Sequence, residues 1–556
     1  MIKNDEIIAA AQEERFTRIK NDSQFPMNAV RFCLNFENIK LEDIQYITFY
    51  EKPFLKFERL LETYLSFAPR GLRSFLKSMP IWLSKKIFQK KMIKDKLNLI
   101  GDTSNIKFLF SDHHSSHAAS AFFPSPFQKA LILTADGVGE WATTSVFLGD
   151  GNKMSLEKEI HFPHSIGLLY SAFTYYLGFK VNSDEYKVMG LAPYGRPIYT
   201  NLILEHLVDL KRDGSYRLNM DYFDFCTGLR MTSKKFNNLF NEPPRKSNSI
   251  ITQKHKDIAC SIQKITEVMM MRIVKELVNE FGIKNLCLAG GVALNCVANG
   301  KILRESGIED IWIQPAAGDA GGAIGAALIT WHQYLENKRC KDKDSMKGAL
   351  LGPNFSRNEI IDFLSKEGVG YKELDEDDLC EFVAEQIDNG KVIGWFQGRM
   401  EFGPRALGAR SILADPRNKS MQGYINNVLK RRESFRPFAP SILEEDLEKY
   451  YELSKKSPYM LLVAQILEKH QFEKHTNIPA VTHIDYTSRI QTVSKSTNKK
   501  YWKLISCFKK RTGVPILLNT SFNVRGEPIV CNIRDAFECY KNAQLDILVL
   551  ENFIIQ

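Results

Sequence analysis

The segment SDHHSSHAASAFF, residues 111–123, contains the side chains best suited to binding a metal ion. Its Ala- and Ser-rich continuation after Asp112 predicts a helix. His113 and His117 are then one turn apart on the same face, where two imidazoles can converge on one ion. His114 is expected to point away from that face. An HxxxH spacing is common, so two unrelated surface histidines on a helix stay an alternative.

Two aspartates follow apolar strands that end in glycine-rich turns. LILTADGVGEW (131–141) predicts a strand that ends near Asp136 and Gly137, and IQPAAGDAGGAIGAAL (313–328) predicts a strand, a turn with Asp319 and a small-residue helix. The C-terminal ends of strands are where α/β proteins bind ligands, and a carboxylate could complete a metal site begun by two histidines. A plain hairpin turn and tight helix packing are the respective alternatives.

A third glycine-rich turn, in LCLAGGVALNCVANG (286–300), has the strand–turn–helix order of a phosphate- or ribose-binding site. Gly290 and Gly291 would let backbone amides approach a ligand, and Asn295 lies one turn into the next helix. The turn around Gly318 also suits an adenine nucleotide. Neither GxGxxG nor GxxxxGK[ST] is present in the segment, which disfavours the Rossmann and P-loop folds. Close packing of helix on strand is the alternative.

The C-terminal half places cations in otherwise apolar surroundings. The segments are GRMEFGPRALGARSILADPR (398–417), KRRESFRPFAPSIL (430–443), HIDYTSRIQTV (483–493) and PILLNTSFNVRGEP (515–528). Together such residues would bind a phosphate or acyl phosphate through charge-assisted hydrogen bonds, although any one arginine could form an ordinary salt bridge. Asn519 and Ser521, after an apolar strand, could orient a carbonyl or an amine. The cations are Arg405, Lys430, Arg432, Arg436 and Arg489.

The elements that must position these groups follow an α/β rhythm. Apolar strands are predicted at 107–110, 130–135, 285–289 and 310–314, and helices near 165–178 and 255–280. This alternation predicts mixed sheets with helices on their faces. The charged residues 338–347 predict a linker, and a second α/β or α+β unit follows. The basic stretch 54–98 predicts a solvated helical insertion, with contact to a membrane surface or an anionic partner as the alternative.

Composition restricts the class of protein. The chain has 556 residues, of which 44% are hydrophobic and 25% charged, as in two to four globular domains. Its net charge of +10 favours anionic partners but is too small for an obligate nucleic-acid binder. None of the ten cysteines forms a CxxC pair, which indicates reduced thiols in a cytoplasmic protein. No membrane span and no secretory signal are visible.

In this order, several segments resemble the motifs of the NodU/CmcH-type O-carbamoyltransferase family over nearly the whole chain. They are QEERFTRIK, DHHSSHAASAFFPSPF, EYKVMGLAPYG, AGGVALN, GDAGGAIGAAL, FGPRALGARSILADPR, FRPFAPSIL and LLNTSFNVRGEPIV. The resemblance implies an actin/Hsp70-like ATPase-fold domain, as in threonylcarbamoyl transferases, over residues 1–345. It implies a YrdC-like domain over residues 348–556. Lys430-x-Arg432 and Ser521-x-Asn523 also resemble the KxR and SxN signatures of YrdC proteins.

The resemblance also implies an activity and its site residues. Carbamoyl phosphate and ATP, with Mg²⁺, would form carbamoyl-adenylate in the second domain, and the carbamoyl group would pass to a hydroxyl of a small molecule or saccharide in the first. Fe²⁺ or another divalent metal would be bound by His113, His117, Asp136 and Asp319. The catalytic residues implied are His113, Asp136, Lys430 and Arg489. The implied ligands of the nucleotide and carbamoyl phosphate are Gly137, Gly290, Gly291, Asn295, Gly318, Arg405, Lys430, Arg436, Arg489, Asn519 and Ser521.

Alternatives arise at the start of the chain. The family normally begins with a further strand and a His-Asp pair whose histidine is the general base, whereas this sequence begins with the turn Asn4-Asp5 and the predicted strand Glu6–Ala10. Either the start codon is assigned too late, or the chain is a truncated, catalytically impaired nucleotide-binding relative with weak transfer or none. A tRNA-modifying threonylcarbamoyl transferase relative is another, although we expect no nucleic-acid partner. The acceptor and the oligomeric state, with a homodimer among the choices, stay open.

Overall fold

The computed structural model describes residues 1–339, 343–472 and 475–556. These residues form two compact units, one with residues 1–6 and 38–345 and the other with 7–37 and 346–556. The boundary between the two units after residue 345 agrees with the domain boundary predicted from the sequence between residues 345 and 348. Residues 7–37, expected in the first domain, belong to the second unit instead. Within the predicted linker, residues 340–342 lie outside the described residues.

Residues 7–37 join the second unit through arginines of the QEERFTRIK segment. Arg15 is 2% exposed and its Nη2 donates to the carbonyl of Gly403 at 2.6 Å. The two terminal nitrogens of Arg18 donate to the carbonyls of Ile529, at 2.7 Å, and Pro528, at 2.9 Å. A buried guanidinium must find acceptors, and these carbonyls supply them from distant parts of the chain.

The first unit contains a five-stranded mixed sheet, which is a three-stranded antiparallel meander with two further strands parallel to its first strand. Across the sheet, the strands are Asp310–Ile313, Asn285–Ala289, Lys129–Ala135, Ala142–Asp150 and Lys153–His161. The central strand is buried except at Lys129, as its continuous apolar run requires for a strand covered on both faces. The predicted mixed sheet is confirmed.

The first unit also contains helices and two shorter strand pairs that lie outside this sheet. The helices are Pro53–Phe67, Leu72–Ile81, Gln89–Leu97, His113–Phe122, Ile166–Tyr176, Glu185–Leu191, Thr200–His206, Lys234–Leu239, Gln253–Phe281, Cys296–Glu305 and Asp319–Ile329. The strand pairs are Tyr46–Phe49 with Lys107–Phe110, and Val208–Leu210 with Tyr216–Leu218. The helices expected near 165–178 and 255–280, and the helical character of 54–98, are confirmed.

The start of the chain forms a short hairpin, with a shorter strand than the one predicted over Glu6–Ala10. Ile2–Lys3 and Glu6–Ile7 form a two-stranded sheet, so the strand expected over Glu6–Ala10 covers only two residues and has a partner. Asn4 and Asp5 have positive φ angles, as a tight hairpin turn requires, and Asn and Asp tolerate that conformation better than most residues.

The second unit is built on a nine-stranded mixed sheet. Across it, the strands are Lys372–Glu373, Phe553–Ile555, Ile547–Leu550, Ile393–Phe396, Arg410–Ala414, Ile516–Ser521, Ala439–Leu443, Thr487–Val493 and Leu462–Gln465. A further pair is Gln471–Phe472 with His475–Thr476. The helices are Glu13–Thr17, Met27–Glu37, Arg357–Lys366, Glu376–Asp388, Met421–Tyr424, Leu447–Tyr450, Lys499–Thr512 and Ile533–Ala543. The described helices of both units include none long and apolar enough to cross a membrane.

The helix Met27–Glu37 begins at a buried carboxylate. Glu13 accepts hydrogen bonds from the backbone N–H of Asn28, at 3.1 Å, and of Ala29, at 2.9 Å, as well as from the Asn28 amide at 2.8 Å. We expect Glu13→Ala to lower the free energy of opening of this helix by about 1–3 kcal/mol, because two N–H groups lose their acceptor. Hydrogen–deuterium exchange of peptides covering residues 27–37 measures this. Glu448→Ala, at an exposed position of the same unit, should leave the exchange unchanged.

Candidate functional site

Four side chains from three parts of the chain meet in the first unit. One nitrogen or oxygen from each of His113, His117, Asp136 and Asp319 lies within 4.8 Å of the others. The Nε2 atoms of the two histidines are 3.1 Å apart, and Asp136 Oδ2 is 3.1 Å from that of His113. Asp319 Oδ1 is 3.7 Å from both Nε2 atoms. The four residues predicted as metal ligands are therefore neighbours in space.

Three elements place these residues. His113 and His117 lie on one face of the helix His113–Phe122, while Asp136 follows the central strand and Asp319 begins the helix Asp319–Ile329. The two helices approach so closely that a Cβ on Gly325 would overlap the carbonyl of Ser116. The small residues of both segments thus serve to bring the aspartate to the histidines.

Burial differs sharply around the cluster. The histidine side chains are at most 2% exposed and that of Asp136 is 15% exposed, whereas the Asp319 side chain is 62% exposed. A ligand therefore reaches the cluster most easily from the side of Asp319. A donor set of two imidazoles and two carboxylates suits a divalent transition metal, and one atom from each side chain lies within 4.8 Å of the others.

Neighbouring groups orient the ligands. Asp136 Oδ1 accepts the backbone N–H of Gly291 at 2.9 Å, which turns Oδ2 towards the histidines. The Glu140 carboxylate accepts the backbone N–H of His113 at 3.0 Å and that of Lys52 at 2.7 Å. Glu140 was not among the predicted site residues, and its position next to the DGVG turn was the available signal. Such partners fix ligand geometry.

The charges of the cluster are interdependent. Burial alone would lower the pKa of His117, but hydrogen bonds to Asp136 and Asp319 raise this pKa to about 9. Burial would raise the pKa of Asp136, but hydrogen bonds from His113 and His117 hold it well below its usual value. The Nδ1 atoms of both histidines are buried and have no hydrogen-bond partner among the described residues. A cation among the Nε2 and carboxylate atoms would take the place of the proton.

His114 lies outside the cluster, as the sequence predicts. Its Nδ1 is 2.8 Å from Thr134 Oγ1 and 2.9 Å from Ser145 Oγ, both on strands of the central sheet. Burial lowers the pKa of His114 well below its usual value. It is therefore a neutral histidine that packs the helix against the sheet.

The predicted glycine contacts to a nucleotide divide into two groups. Gly290 has a φ of +87°, and a Cβ there would overlap the carbonyl of Ala135, so its position is needed for packing. Gly137 and Gly318 instead have no described atom within 4 Å of where a Cβ would lie, which leaves room for a ligand. Gly291 belongs to neither group, because its N–H donates a hydrogen bond to the side chain of Asp136.

Asn295 is buried and its amide is used within the protein. Its oxygen accepts the N–H of Ala298 and so caps the next helix. The amide also exchanges two hydrogen bonds of 3.0 Å with Gln263. As placed here, Asn295 fixes the start of a helix beside the glycine-rich turn rather than presenting its amide to a ligand.

In the second unit, Lys430 is buried at the end of the strand that carries Ser521. Its Nζ donates to the carbonyl of Ser521 and, at 2.8 Å each, to the carbonyl and side-chain oxygens of Asn523. Ser521 Oγ donates to the same side-chain oxygen at 2.8 Å. Burial, together with Arg432 and Arg436, holds the pKa of Lys430 well below its usual value. The predicted residues Ser521 and Arg436 therefore both act on Lys430, Ser521 through a hydrogen bond and Arg436 through its charge.

Asn519 anchors the loop that carries Arg405. The Asn519 amide donates to the carbonyl of Ala406 at 3.1 Å and to the side chain of Gln491 at 2.9 Å. Gln491 donates in turn to the carbonyl of Leu407 at 2.8 Å. Asn519 is 1% exposed, so it acts on the predicted anion site by holding this loop.

Arg489 and Gln491 are two residues apart on one strand, and so they point to the same face of the sheet. Since Gln491 contacts Asn519, Arg489 shares that face with the Arg405 loop. Arg436 lies 3.5 Å from Glu433, an ion pair on a partly buried side chain. That these cations converge on one anion stays a prediction.

Glu401 was not predicted and fixes the same loop. Its Oε1 accepts three backbone N–H groups, from Leu407 and Ala409 at 2.7 Å and from Arg410 at 3.1 Å. The side chain is 2% exposed. A single buried carboxylate that binds three N–H groups gives the FGPRALGAR segment a defined shape. The sequence signal was an acidic residue directly before a Gly- and Pro-containing motif.

We expect His117→Ala and Asp319→Asn each to lower the bound metal from about one ion per chain to a small fraction, because each removes one of four ligands. Elemental analysis of protein purified in the presence of a divalent metal measures this. His161→Gln, at an exposed histidine of the same unit, is the matched control. Retention of full metal content by both ligand variants would contradict the site.

Metal affinity should rise with pH. Without metal, His117 keeps its proton up to a pKa of about 9, and a metal ion must displace that proton. We expect the affinity for Zn²⁺ to fall by about tenfold per pH unit as the pH is lowered from 9 to 7. Calorimetric titration in buffers of different ionisation enthalpy should show release of about one proton at pH 7. An affinity independent of pH over this range would refute the assignment of His117.

Comparison with known proteins identifies the chain. The family model for the carbamoyltransferase N-terminus matches residues 1–328, and that for the carbamoyltransferase C-terminus matches residues 384–556. An uncharacterized protein of Synechocystis sp. is 55% identical, over 100% of this chain and 94% of that protein. Nodulation protein NolNO of Sinorhizobium fredii is 38% identical, over 100% of this chain and 78% of that protein.

Similarity to a solved structure is much weaker. Full-length HypF, in the phosphate- and nucleotide-bound form, aligns with a TM-score of 0.23 and 18% identity, over 33% of this chain and 22% of that chain. The family matches cover both units and agree with the resemblance seen in the motifs. The chain therefore belongs to the carbamoyltransferase family and is a carbamoyltransferase.

Proposed function

We propose that this carbamoyltransferase makes carbamoyl-adenylate in its second unit and transfers the carbamoyl group to a hydroxyl of a small molecule or saccharide in its first unit. In the first reaction, water hydrolyses carbamoyl phosphate to carbamate and inorganic phosphate, and a carbamate oxygen then attacks the α-phosphorus of ATP and displaces pyrophosphate. In the second, an acceptor oxygen attacks the carbamoyl carbon and AMP leaves. The observation that carries the proposal is the presence of two distinct constellations, an acidic–imidazole cluster and a group of cations near the buried Lys430.

The second unit suits the adenylate-forming step. ATP and carbamoyl phosphate together bring several negative charges, which catalysis of phosphoryl chemistry must offset. Arg432 and Arg436 supply positive charge near Lys430 and Ser521, and an anion bound among them would favour the charged form of Lys430. Burial of Lys430 strengthens its interaction with an anion, since water does not screen it. Mg²⁺ would accompany the ATP.

The first unit suits the transfer step. A divalent cation such as Fe²⁺, bound by His113, His117, Asp136 and Asp319, would polarise the carbamoyl carbonyl and stabilise the oxyanion that forms on it. Gly137 and Gly318 border the cluster with open space where the adenylate could lie. The exposed side of Asp319 gives the acceptor hydroxyl a route to the cluster.

The folds we propose for the two units agree with this division. A meander of three antiparallel strands, followed by two strands parallel to its first strand, supports an actin/Hsp70-like ATPase fold for the first unit. The mixed sheet of the second unit, with Lys430, Arg432, Ser521 and Asn523 brought together, supports a YrdC-like domain. ATP and carbamoyl phosphate are cytoplasmic metabolites, and we place the protein in that compartment.

Isotope exchange between pyrophosphate and ATP separates the two reactions. We expect carbamoyl phosphate to be required for exchange, Lys430→Ala to lower the exchange rate roughly a hundredfold or more, and His117→Ala to leave it within about twofold while carbamoyl transfer is lost. Lys419→Ala, at an exposed lysine of the second unit, is the control for Lys430. Metal content reports only on the first unit, so an unchanged thermal unfolding profile of Lys430→Ala is the evidence that its second unit has folded.

Two results would refute the proposal. One is an exchange that does not depend on carbamoyl phosphate in the unaltered protein. The other is an equal loss of exchange in Lys430→Ala and His117→Ala, because the two constellations would then not serve separate steps. Arg436→Gln provides a second test of the cationic cluster if removal of the buried Lys430 side chain prevents folding.

A further inference from the structure

Exposed apolar and basic side chains are concentrated in residues 65–97 of the first unit, which we call the cationic insert. Six apolar side chains there are between 54% and 77% exposed, namely Leu65, Leu72, Leu76, Ile81, Leu83 and Phe88. The same stretch contains nine lysines and arginines but only one acidic residue, Asp95. Exposed apolar side chains or an excess of basic residues would not be unusual alone. Here both occur in the same segment, whereas a purely charged or a purely apolar surface would show only one of these features.

Internal packing of the cationic insert uses other side chains. Tyr64, at the end of the helix Pro53–Phe67, has its hydroxyl 2.7 Å from Ser74 Oγ and its ring 5.3 Å from that of Phe75. Further along, Trp82 packs against Phe57 with ring centroids 6.0 Å apart. The helix that follows Gly71 therefore turns Ser74 and Phe75 towards Tyr64, while Leu72 and Leu76 are 63% and 61% exposed.

The exposed leucines are arranged as one stripe. Leu72, Leu76 and Leu83 are separated by four and seven residues, so they share one helical face over about 16 Å. Arg73 and Lys77 lie directly beside this stripe and are exposed. The result is an apolar line bordered by positive charge.

We propose that the cationic insert binds the surface of a lipid bilayer that contains anionic lipids. A helix with a stripe of leucines bordered by cations lies in the interface, where the apolar side chains enter the acyl boundary and the cations meet the headgroups. A soluble polyanion would use the charges but leave the leucines in water. An ordinary apolar partner protein would leave the charges without a counterpart. An anionic bilayer satisfies both.

The cationic insert is connected to the metal cluster by one helix. The helix Pro53–Phe67 leads into it, and Arg59 on this helix donates to the carbonyl of Gly139 at 2.6 Å, in the turn that follows Asp136. Bilayer binding would therefore take place on a segment that is fixed to the turn beside the cluster. The inference itself does not depend on the proposed adenylate or acceptor.

Vesicle flotation of the full chain tests this inference. The probes are vesicles of phosphatidylcholine alone and vesicles of phosphatidylcholine with phosphatidylglycerol. The apolar variant combines Leu72→Ser, Leu76→Ser and Leu83→Ser, and the charge variant combines Lys77→Gln, Lys90→Gln and Lys91→Gln. Their matched controls, at exposed positions outside the cationic insert, are Leu156→Ser, Ile250→Ser and Ile484→Ser, and Lys153→Gln, Lys419→Gln and Lys499→Gln.

We expect the unaltered chain to float with anionic vesicles. The charge variant should weaken partitioning by roughly a hundredfold, at about fivefold for each lysine, and the apolar variant by at least about tenfold. Both controls should stay within about twofold of the unaltered chain. Because all substituted side chains are exposed, metal content should be unchanged in every variant.

Three outcomes would overturn the inference. The unaltered chain could fail to float with anionic vesicles. The apolar variant could bind as well as the unaltered chain, which would indicate a polyanion as the natural partner. A control variant could lose binding as fully as the variants of the cationic insert, which would place the binding surface elsewhere.

Discussion

The arrangement of the first unit depends on the close packing of two helices that carry the ligands. The helices His113–Phe122 and Asp319–Ile329 can bring two imidazoles and a carboxylate together only because Gly325 lies against the backbone of Ser116. Any larger side chain would separate the helices and with them the ligands. Asp136 is then added from the end of the central strand, held by the N–H of Gly291. The close contact that the small residues permit thus determines where the charged ligands lie. The positions of the ligands in turn determine the affinity of the cluster for a cation.

The second unit positions cationic side chains, whereas the first unit positions carboxylates and imidazoles. Lys430 is buried, and three oxygens of Ser521 and Asn523 compensate the loss of water around its ammonium group. The Arg405 loop is fixed by carboxylate and amide groups of Glu401 and Asn519. Lys430 and the backbone of the Arg405 loop are therefore held in place before any substrate binds. Preorganisation of this kind lowers the reorganisation that an anionic transition state would otherwise require.

The metal ligands and the mixed sheets could be predicted from the sequence because each depends on local patterns. An HxxxH spacing defines a helical face, and an aspartate after an apolar strand lies at the edge of a sheet. Asn295 and Asn519 show where local patterns fail. Both lie in motifs of the expected type, but their partners, Gln263 and Gln491, are distant in the sequence and could not be identified from it. Glu401 was missed for the same reason, since its three N–H partners follow from the folded shape of one loop.

The assignment of residues 7–37 to the second unit has a consequence for folding. Arg15 binds Gly403 across 388 positions of sequence, and Arg18 binds Ile529 across 511. Residues 38–345 lie between these partners and belong to the first unit. Long-range contacts must be formed at an entropic cost that grows with the length of the intervening chain, but an intervening segment that has already folded shortens the effective loop. The first unit, which is nearly contiguous in sequence, can therefore fold during synthesis and so lower the cost of joining the N-terminal segment to the second unit when the C-terminal residues emerge.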